Sequence, residues 1–128
     1  MDNWAVLPDN GLLTRVLEDE LRGRGGAGFP AGVKWGFVPK DSAKPKYVVC
    51  NADESEPGTF NNRILMEEDP HQLLEGIAIT CHAVRSHTAY IYLRYEYGRS
   101  SRVLRYFQRH GYARSYCAER AGLSLRAS

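Results

Sequence analysis

The stretch that decides the fold of this chain is residues 70–95, PHQLLEGIAITCHAVRSHTAYIYLRY. In its first half, apolar residues recur at the spacing of one helix face: Leu73, Leu74, Ile77, Ala78 and Cys81. This spacing predicts a helix near residues 70–86 with a broad apolar face. In its second half, residues 88–95, apolar residues alternate with tyrosines. Ala89, Ile91 and Leu93 would lie on one face of a strand, and Tyr90 and Tyr92 on the other. That alternation predicts a strand with one buried face.

The residues upstream complete a strand–helix–strand unit. Residues 46–50, KYVVC, are rich in β-branched and aromatic side chains, which predicts a second strand. Two strands joined by a helix favour parallel pairing with a right-handed crossover. We therefore predict the α/β fold class, in the form of a Rossmann-like sandwich fragment. In open α/β sheets, ligands bind beside the carboxyl ends of the strands.

A glycine-rich segment, residues 22–32, precedes this unit and is called the glycine loop below. Its sequence is RGRGGAGFPAG, with five glycines and two arginines, and Lys34 and Trp35 follow it closely. Glycine reaches positive φ and lets another group approach the backbone. Backbone N–H groups flanked by cations favour the binding of an anion, most often phosphate.

The glycine loop matches neither of the common phosphate-binding patterns. Gly23, Gly25 and Gly28 fit Gly-x-Gly-x-x-Gly, but apolar spacing predicts a helix, not a strand, over about 10–21. No Gly-Lys-Ser/Thr closes the loop, which excludes the Walker A pattern. A flexible surface linker is the alternative interpretation. Against it stands Phe29, whose exposure in a linker would be costly.

A second candidate segment, the acidic loop, comprises residues 51–60, NADESEPGTF. It places an asparagine and three carboxylates directly after the strand predicted at 46–50. Carboxylates accept hydrogen bonds from sugar hydroxyls and carboxamides, and asparagine both donates and accepts at a heterocycle edge. An acidic surface turn ended by Pro-Gly is the alternative. Together, the two loops would supply donors for phosphates and acceptors for ribose and amide groups.

These segments resemble a known family, the flavin-carrying, NADH-oxidising subunit of respiratory complex I, which is the F subunit of NADH-quinone oxidoreductase. The resemblance covers about 10–98 and fades after about Tyr106. It rests on residues 21–30 (LRGRGGAGFP), 32–35 (GVKW) and 50–60 (CNADESEPGTF). It continues through Arg63, Asp69-Pro70-His71, Leu74-Glu75-Gly76 and Ala89-Tyr90-Ile91-Tyr92. Diaphorase subunits of NAD-linked hydrogenases and formate dehydrogenases are related and stay an alternative.

The resemblance implies FMN and NAD(H) as cofactors of a site formed by the two loops. Within the glycine loop it implies cofactor contacts by Gly23, Arg24, Gly25, Gly26, Ala27, Gly28, Phe29 and Gly32. It implies that Lys34 lies near the flavin, and that Asn51 and Asp53 hydrogen-bond it. It implies that Glu54 and Glu56 face the nicotinamide nucleotide. No catalytic acid or base is implied, because hydride passes between two rings that the protein only has to stack.

For the whole protein, the resemblance implies an NADH dehydrogenase flavoprotein subunit that delivers electrons through iron–sulfur clusters towards quinone. The implied partners are NADH and the 2Fe–2S and multi-cluster iron–sulfur subunits of the hydrophilic arm, at the cytoplasmic side of the inner membrane. The family's 4Fe–4S cysteines do not occur in this sequence: Cys50, Cys81 and Cys117 form no Cys-x-x-Cys. No metal ligands are therefore predicted, and no apolar run reaches the length of a membrane span.

The charge distribution divides the chain into two predicted parts. Residues 1–98, predicted to be a partial FMN/NADH-binding domain, hold ten basic and fourteen acidic residues. Residues 99–128 hold seven arginines, no lysine and a single acidic residue. We predict that this Arg-rich tail begins with a basic helix near residue 99 and that its later sequence is aberrant or out of frame. The alternative is a non-catalytic chain whose arginines bind nucleic acid.

Overall fold

The computed structural model describes residues 16, 18–24, 26–110 and 124–127. In chain order, the elements are α1 (Ala31–Gly36), β1 (Tyr47–Ala52), α2 (Asn61–Glu68), α3 (Pro70–Val84), β2 (Thr88–Leu93), α4 (Gly98–His110) and β3 (Ser124–Ala127). The helix predicted over 10–21 lies for the most part outside the described residues. None of the described helices is long and apolar enough to cross a bilayer.

The described strands form a parallel sheet in the order β1-β2-β3. Tyr47 lies opposite Thr88 at one end of the β1–β2 ladder, and Ala52 lies opposite Leu93 at the other. The α/β class and the parallel strand–helix–strand unit predicted from the sequence are therefore confirmed. The strand β3, which pairs with β2, was not predicted.

The crossover helix α3 has well-defined ends. Asp69 caps its first turn, because the Asp69 side chain accepts a hydrogen bond from the backbone N–H of Gln72 at 3.2 Å, and Pro70 follows at the first helical position. At the other end, Arg85 adopts the left-handed conformation with φ of 57°. The N–H of Ser86 then bonds to the carbonyl of Cys81 at 2.8 Å, which completes a Schellman motif. The helix consequently ends at Val84, two residues before the predicted end.

The core lies between the sheet and the helices. Ala89 is fully buried and Ile91 nearly so, whereas Tyr92 on the opposite face is 56% exposed. The alternation predicted for β2 is thus confirmed. Helices α2, α3 and α4 complete the core with Met66, Leu74, Ile77, Cys81 and Leu104.

Other elements also differ from the sequence prediction. The sequence also predicts a short element at 34–37, which in the structure is the helix α1 (Ala31–Gly36), and the helix α2 after the acidic loop was missed. Strand β1 continues to Ala52, because pairing with β2 extends the ladder through Asn51. Strand β2 ends at Leu93 rather than at residue 95, since the chain turns where the Tyr97 N–H bonds to the Arg94 carbonyl at 3.0 Å.

The basic helix predicted near residue 99 is α4, and it packs on the core. Ser100 is fully buried and Leu104 is buried. The rings of His71 and Phe107 meet edge to face at 4.5 Å and join α3 to α4. Residues 99–110 therefore share one hydrophobic core with the residues before them. The aberrant origin proposed for the tail stays a prediction.

Candidate functional site

The carboxyl ends of β1 and β2 place two loops at one edge of the sheet. The acidic loop leaves β1 after Ala52, and a turn from Arg94 to Tyr97 leaves β2 after Leu93. Parallel neighbours present these ends side by side, which is the edge where open α/β sheets bind ligands. The glycine loop leads into α1, and α1 packs against α3.

The base of the glycine loop is closed by backbone hydrogen bonds. The N–H of Gly23 donates to the carbonyl of Phe29 at 2.9 Å, and the N–H of Ala31 donates to the carbonyl of Leu21 at 2.8 Å. Arg22 stabilises the far strand of the loop, since its Nη1 donates to the carbonyl of Gly28 at 3.2 Å. Hydrogen bonds between its two ends therefore close the loop at its base, so that it is not an extended linker.

The glycines of this loop provide the conformation and space of a ligand cradle. Gly26 has φ of +99° and Gly28 has φ of +60°, a region that L side chains rarely adopt. A Cβ atom at either position would meet no atom within 4 Å. The conformation, and not a steric clash, thus requires glycine, and open space remains above the backbone. Gly32 is buried in α1, and Gly25 lies outside the described residues.

Two aromatic rings and a lysine lie in the last part of the glycine loop and just after it. Phe29 is 47% exposed and Phe37 is 71% exposed, and their ring centroids are 6.4 Å apart. Lys34 lies in the last turn of α1 and is exposed. Large exposed aromatic side chains are available for stacking on a planar ligand.

The acidic loop begins with a local hydrogen-bonded turn. The Asn51 side-chain oxygen accepts from the N–H of Asp53 at 3.0 Å, and Asp53 accepts from the Ser55 hydroxyl at 2.7 Å. Asn51, Asp53 and Glu56 are exposed. Gly58, with φ of +79°, then turns the chain towards α2.

Glu54 differs from the other carboxylates of the loop because it is only 5% exposed. Its two oxygens accept hydrogen bonds from the N–H groups of Asn62 and Arg63, at 2.9 and 3.1 Å, at the start of α2. Tyr97 Oη donates to the same carboxylate at 3.2 Å. Burial raises the pKa of Glu54, but these hydrogen bonds outweigh burial and leave the pKa below its ordinary value. Glu54 is therefore an anion that also caps a helix N-terminus.

The hydrogen bonds around Glu54 extend to the turn after β2. Arg94 Nη1 donates to the Glu54 carbonyl at 2.7 Å, and both Arg94 and Arg63 place their guanidinium groups within 6 Å of the Tyr97 ring centroid. Glu67, at the end of α2, accepts from the buried Ser100 hydroxyl at 2.8 Å. Burial raises the Glu67 pKa, yet the Ser100 bond and the charge of Arg63 bring that pKa below its ordinary value.

The predicted site residues therefore fall into three groups. The glycine loop and the exposed Lys34 after it form one group, Asn51, Asp53 and Glu56 are exposed in the acidic loop, and Glu54 is held inward. The contacts of Glu54 with Arg94 and Tyr97 were not predicted, because the partners lie some forty residues away. Within the part of the chain that the structure describes, no cluster of three His, Cys, Asp or Glu side chains could hold a metal ion.

Comparison with known proteins adds to this geometry. The model of the Nuo51 FMN-binding domain family matches residues 16–115, which is most of the chain and includes both loops. The chain belongs to this family. The match also extends beyond Tyr106, where the sequence resemblance was expected to fade.

Two of the proteins similar to this chain are F subunits of NADH-quinone oxidoreductase. The chain is 61% identical to the second NADH-quinone oxidoreductase F subunit of Rhizobium meliloti over 90 residues, which are 70% of this chain and 21% of that protein. It is 49% identical to the NADH-quinone oxidoreductase F subunit of Streptomyces coelicolor over 124 residues, 94% of this chain and 27% of that protein. The chain thus spans about a quarter of the length of these relatives.

A solved structure shows the same arrangement of the chain. The crystal structure of an NAD+-reducing [NiFe]-hydrogenase in the H2-reduced state matches with a TM-score of 0.79 and 38% identity. The match covers 94% of this chain and 21% of the hydrogenase chain. The expected α/β fold is therefore shared with a chain of that hydrogenase.

Proposed function

We propose that this chain forms part of the FMN- and NADH-binding site of an NADH dehydrogenase flavoprotein subunit. The observation that carries the proposal is the glycine loop, whose positive-φ glycines face open space in a chain of an FMN-binding family. The loop chemistry fits the group, because backbone N–H groups, Arg24 and Lys34 suit a phosphate. When bound, FMN would supply the two-electron chemistry that accepts a hydride from NADH.

The proposed role of each residue follows from its exposure and from the chemistry of its side chain or backbone. The glycine loop, through Gly23, Arg24, Gly25, Gly26, Ala27, Gly28 and Gly32, would bind phosphate and lie along both cofactors. Asn51 and Asp53 would hydrogen-bond the flavin, while Glu56 would accept hydrogen bonds from the nicotinamide nucleotide. Phe29 would stack on a planar ring.

Glu54 would act differently from Glu56. Both of its oxygens already accept hydrogen bonds from α2 and Tyr97. We therefore propose that Glu54 mainly positions the acidic loop and that any contact with the nicotinamide nucleotide is secondary. In this proposal, no side chain transfers a proton; the chain binds, orients and excludes water.

The proposed partners are other subunits of a multi-subunit complex, at the cytoplasmic side of the inner membrane. Electrons would leave through iron–sulfur subunits, among them 2Fe–2S and multi-cluster proteins, towards quinone. A second candidate is the diaphorase subunit of an NAD-linked hydrogenase. The structural match to an NAD+-reducing [NiFe]-hydrogenase favours this candidate, whereas the NADH-quinone oxidoreductase relatives favour the first.

The proposal is tested by anaerobic titration of the full chain with FMN, followed by addition of NADH. We expect saturable flavin binding, measured by absorbance and fluorescence, and bleaching of the flavin when NADH is added. Asp53→Asn should weaken FMN binding about tenfold, the loss of roughly one charge-assisted hydrogen bond. Asp41→Asn is the matched control, because Asp41 is an exposed carboxylate outside both loops.

The outcomes separate binding from reaction. Equal FMN affinities of the Asp53 and Asp41 variants would contradict the assignment of Asp53. A folded chain, verified by circular dichroism, that binds neither FMN nor NADH would overturn the proposal for this chain. Flavin binding without bleaching would place the nicotinamide site outside these residues.

A further inference from the structure

A second concave site lies at the opposite edge of the sheet. Tyr47 begins β1 and Thr88 begins β2, and they lie opposite each other in the ladder. Both line a cavity of about 300 Å³, formed by the loop before β1 and the turn before β2. The acidic loop leaves the other end of β1, and no residue of either cofactor loop lines this cavity.

The lining of this cavity, called the basic pocket below, is strongly cationic. Lys40, Lys44, Lys46, Arg85 and His87 all contribute to it. Ser42 and Thr88 add hydroxyl groups, and no described lining residue is a carboxylate. Three lysines and one arginine around one cavity give it a positive potential that attracts anions.

The walls of the basic pocket are held in place by buried and backbone contacts. Ser86 is 5% exposed, and its Oγ lies 2.8 Å from the carbonyl of Lys46 and 2.9 Å from that of Thr88. This hydroxyl ties the loop before β1 to the start of β2. Lys46 Nζ donates to the Lys40 carbonyl at 3.2 Å, which closes the loop upon itself. A preformed wall lowers the conformational entropy that the protein loses when a ligand binds.

The position of Arg85 has its own structural cause. The Schellman motif that ends α3 keeps Arg85 in the left-handed conformation. Only glycine and asparagine adopt this conformation readily, so an arginine there bears a backbone strain. Arg85 also lines the pocket, and a guanidinium group binds phosphate oxygens well.

From this geometry we propose that the basic pocket binds a small phosphorylated ligand at a site separate from the cofactor loops. The volume suits a small ligand, at the lower end of the range of ligand pockets. The lining suits oxyanions, because lysines, an arginine and hydroxyls are donors at phosphate. Tyr47, 56% exposed beside the pocket, offers a ring on which a nucleotide base could stack. This inference does not rest on the proposed FMN and NADH function.

The test is calorimetric titration of the full chain with three probes in chloride buffer: inorganic phosphate, pyrophosphate and ADP. We expect saturable binding of pyrophosphate that weakens as ionic strength rises. Lys44→Gln and Arg85→Asn should each weaken that binding about tenfold, the effect of one charge-assisted contact. Asparagine is chosen because it tolerates the left-handed conformation, and Lys44→Gln changes an exposed residue and leaves the backbone undisturbed. Arg105→Gln, on an exposed face of α4, is the control and should bind as the unmodified chain does.

Each outcome decides the proposal. ADP bound more tightly than pyrophosphate identifies a nucleotide ligand, whereas equal affinities identify the phosphate groups alone. If the three variants bind pyrophosphate equally, the attraction is a diffuse charge effect and the proposal fails. Loss of binding in Gly26→Val alone would move the phosphate to the glycine loop and also overturn it.

Discussion

Tyr97 and Glu54 are 43 residues apart in sequence, yet Tyr97 Oη donates a hydrogen bond to Glu54 Oε2 at 3.2 Å. The adjacent Arg94 donates to the Glu54 carbonyl oxygen at 2.7 Å. The loop after β1 is thus fixed by the turn after β2. Because β1 and β2 are parallel neighbours, their carboxyl ends can hold one another in this way.

The first prediction concerns Glu54→Gln. The glutamine amide has one uncharged acceptor oxygen where the carboxylate has two charged ones, so one of the N–H groups of Asn62 and Arg63 loses its acceptor and the other keeps only a neutral one. We expect the free energy of unfolding, from urea denaturation, to fall by about 1–3 kcal/mol. Glu75→Gln, an exposed change on α3, is the control and should have little effect. Equal values for the two variants would show that Glu54 does not stabilise the acidic loop.

The second prediction separates the hydroxyl of Tyr97 from its ring. Tyr97→Phe removes the bond to Glu54 but keeps the ring beside Arg63 and Arg94. We expect a loss of about 1 kcal/mol in the free energy of unfolding, smaller than that of Glu54→Gln. In the double variant, the two losses should not add, since they remove the same contact. A double-mutant cycle in urea measures this coupling, and strict additivity would argue against the bond.

The third prediction is that the free energy of unfolding falls as the pH is lowered. The folded-state pKa of Glu54, and that of Glu67, lies below the ordinary value of 4.5. Their stabilisation is therefore fully present above pH 4.5 and is lost as the pH falls through that value towards the folded-state pKa. Urea denaturation from about pH 6 to about pH 3 should show this decline. The decline should be shallower in Glu54→Gln, and an unchanged slope would contradict the assignment.

The fourth prediction concerns the conformation of the glycine loop. Gly28→Ala places a Cβ on a residue with φ of +60°, which costs about 1–2 kcal/mol without any steric clash. We expect reduced stability and FMN binding about tenfold weaker, because the loop would relax away from its cradle shape. Gly76→Ala, in the helix α3, is the control and should stabilise the chain by roughly 0.5–1 kcal/mol. Unaltered FMN binding by Gly28→Ala would show that this backbone conformation is not needed.

The fifth prediction tests whether α4 belongs to the core. Leu104→Ala removes a buried side chain and should destabilise the chain by about 2–5 kcal/mol. Arg105→Ala, next to it on an exposed face, should change the free energy of unfolding by about 0.5 kcal/mol or less. If Leu104→Ala also had a negligible effect, α4 would be an appendage, as the predicted boundary at residue 99 suggests.

The sequence predicted the elements that repeat a local pattern. Helix α3 and strand β2 follow from the spacing of Leu74, Ile77, Ala89 and Ile91, because burial of one face imposes that spacing. Helix α2 was missed, since its start is stabilised by Glu54 and its end by Ser100, neither of which is a local signal. The roles of the individual cofactor residues stay predictions.

By itself, the sequence determined the α/β class, the parallel unit, the family and the two loops, because these depend on short patterns of glycine, charge and apolar spacing. The tertiary structure alone decided which carboxylates of the acidic loop are exposed to a ligand. Glu54 and Glu56 are two residues apart and chemically identical, yet Glu54 is buried against α2 and Tyr97 while Glu56 is exposed. The physical reason is that burial and hydrogen bonding depend on residues brought close by the pairing of β1 with β2, which no local pattern encodes.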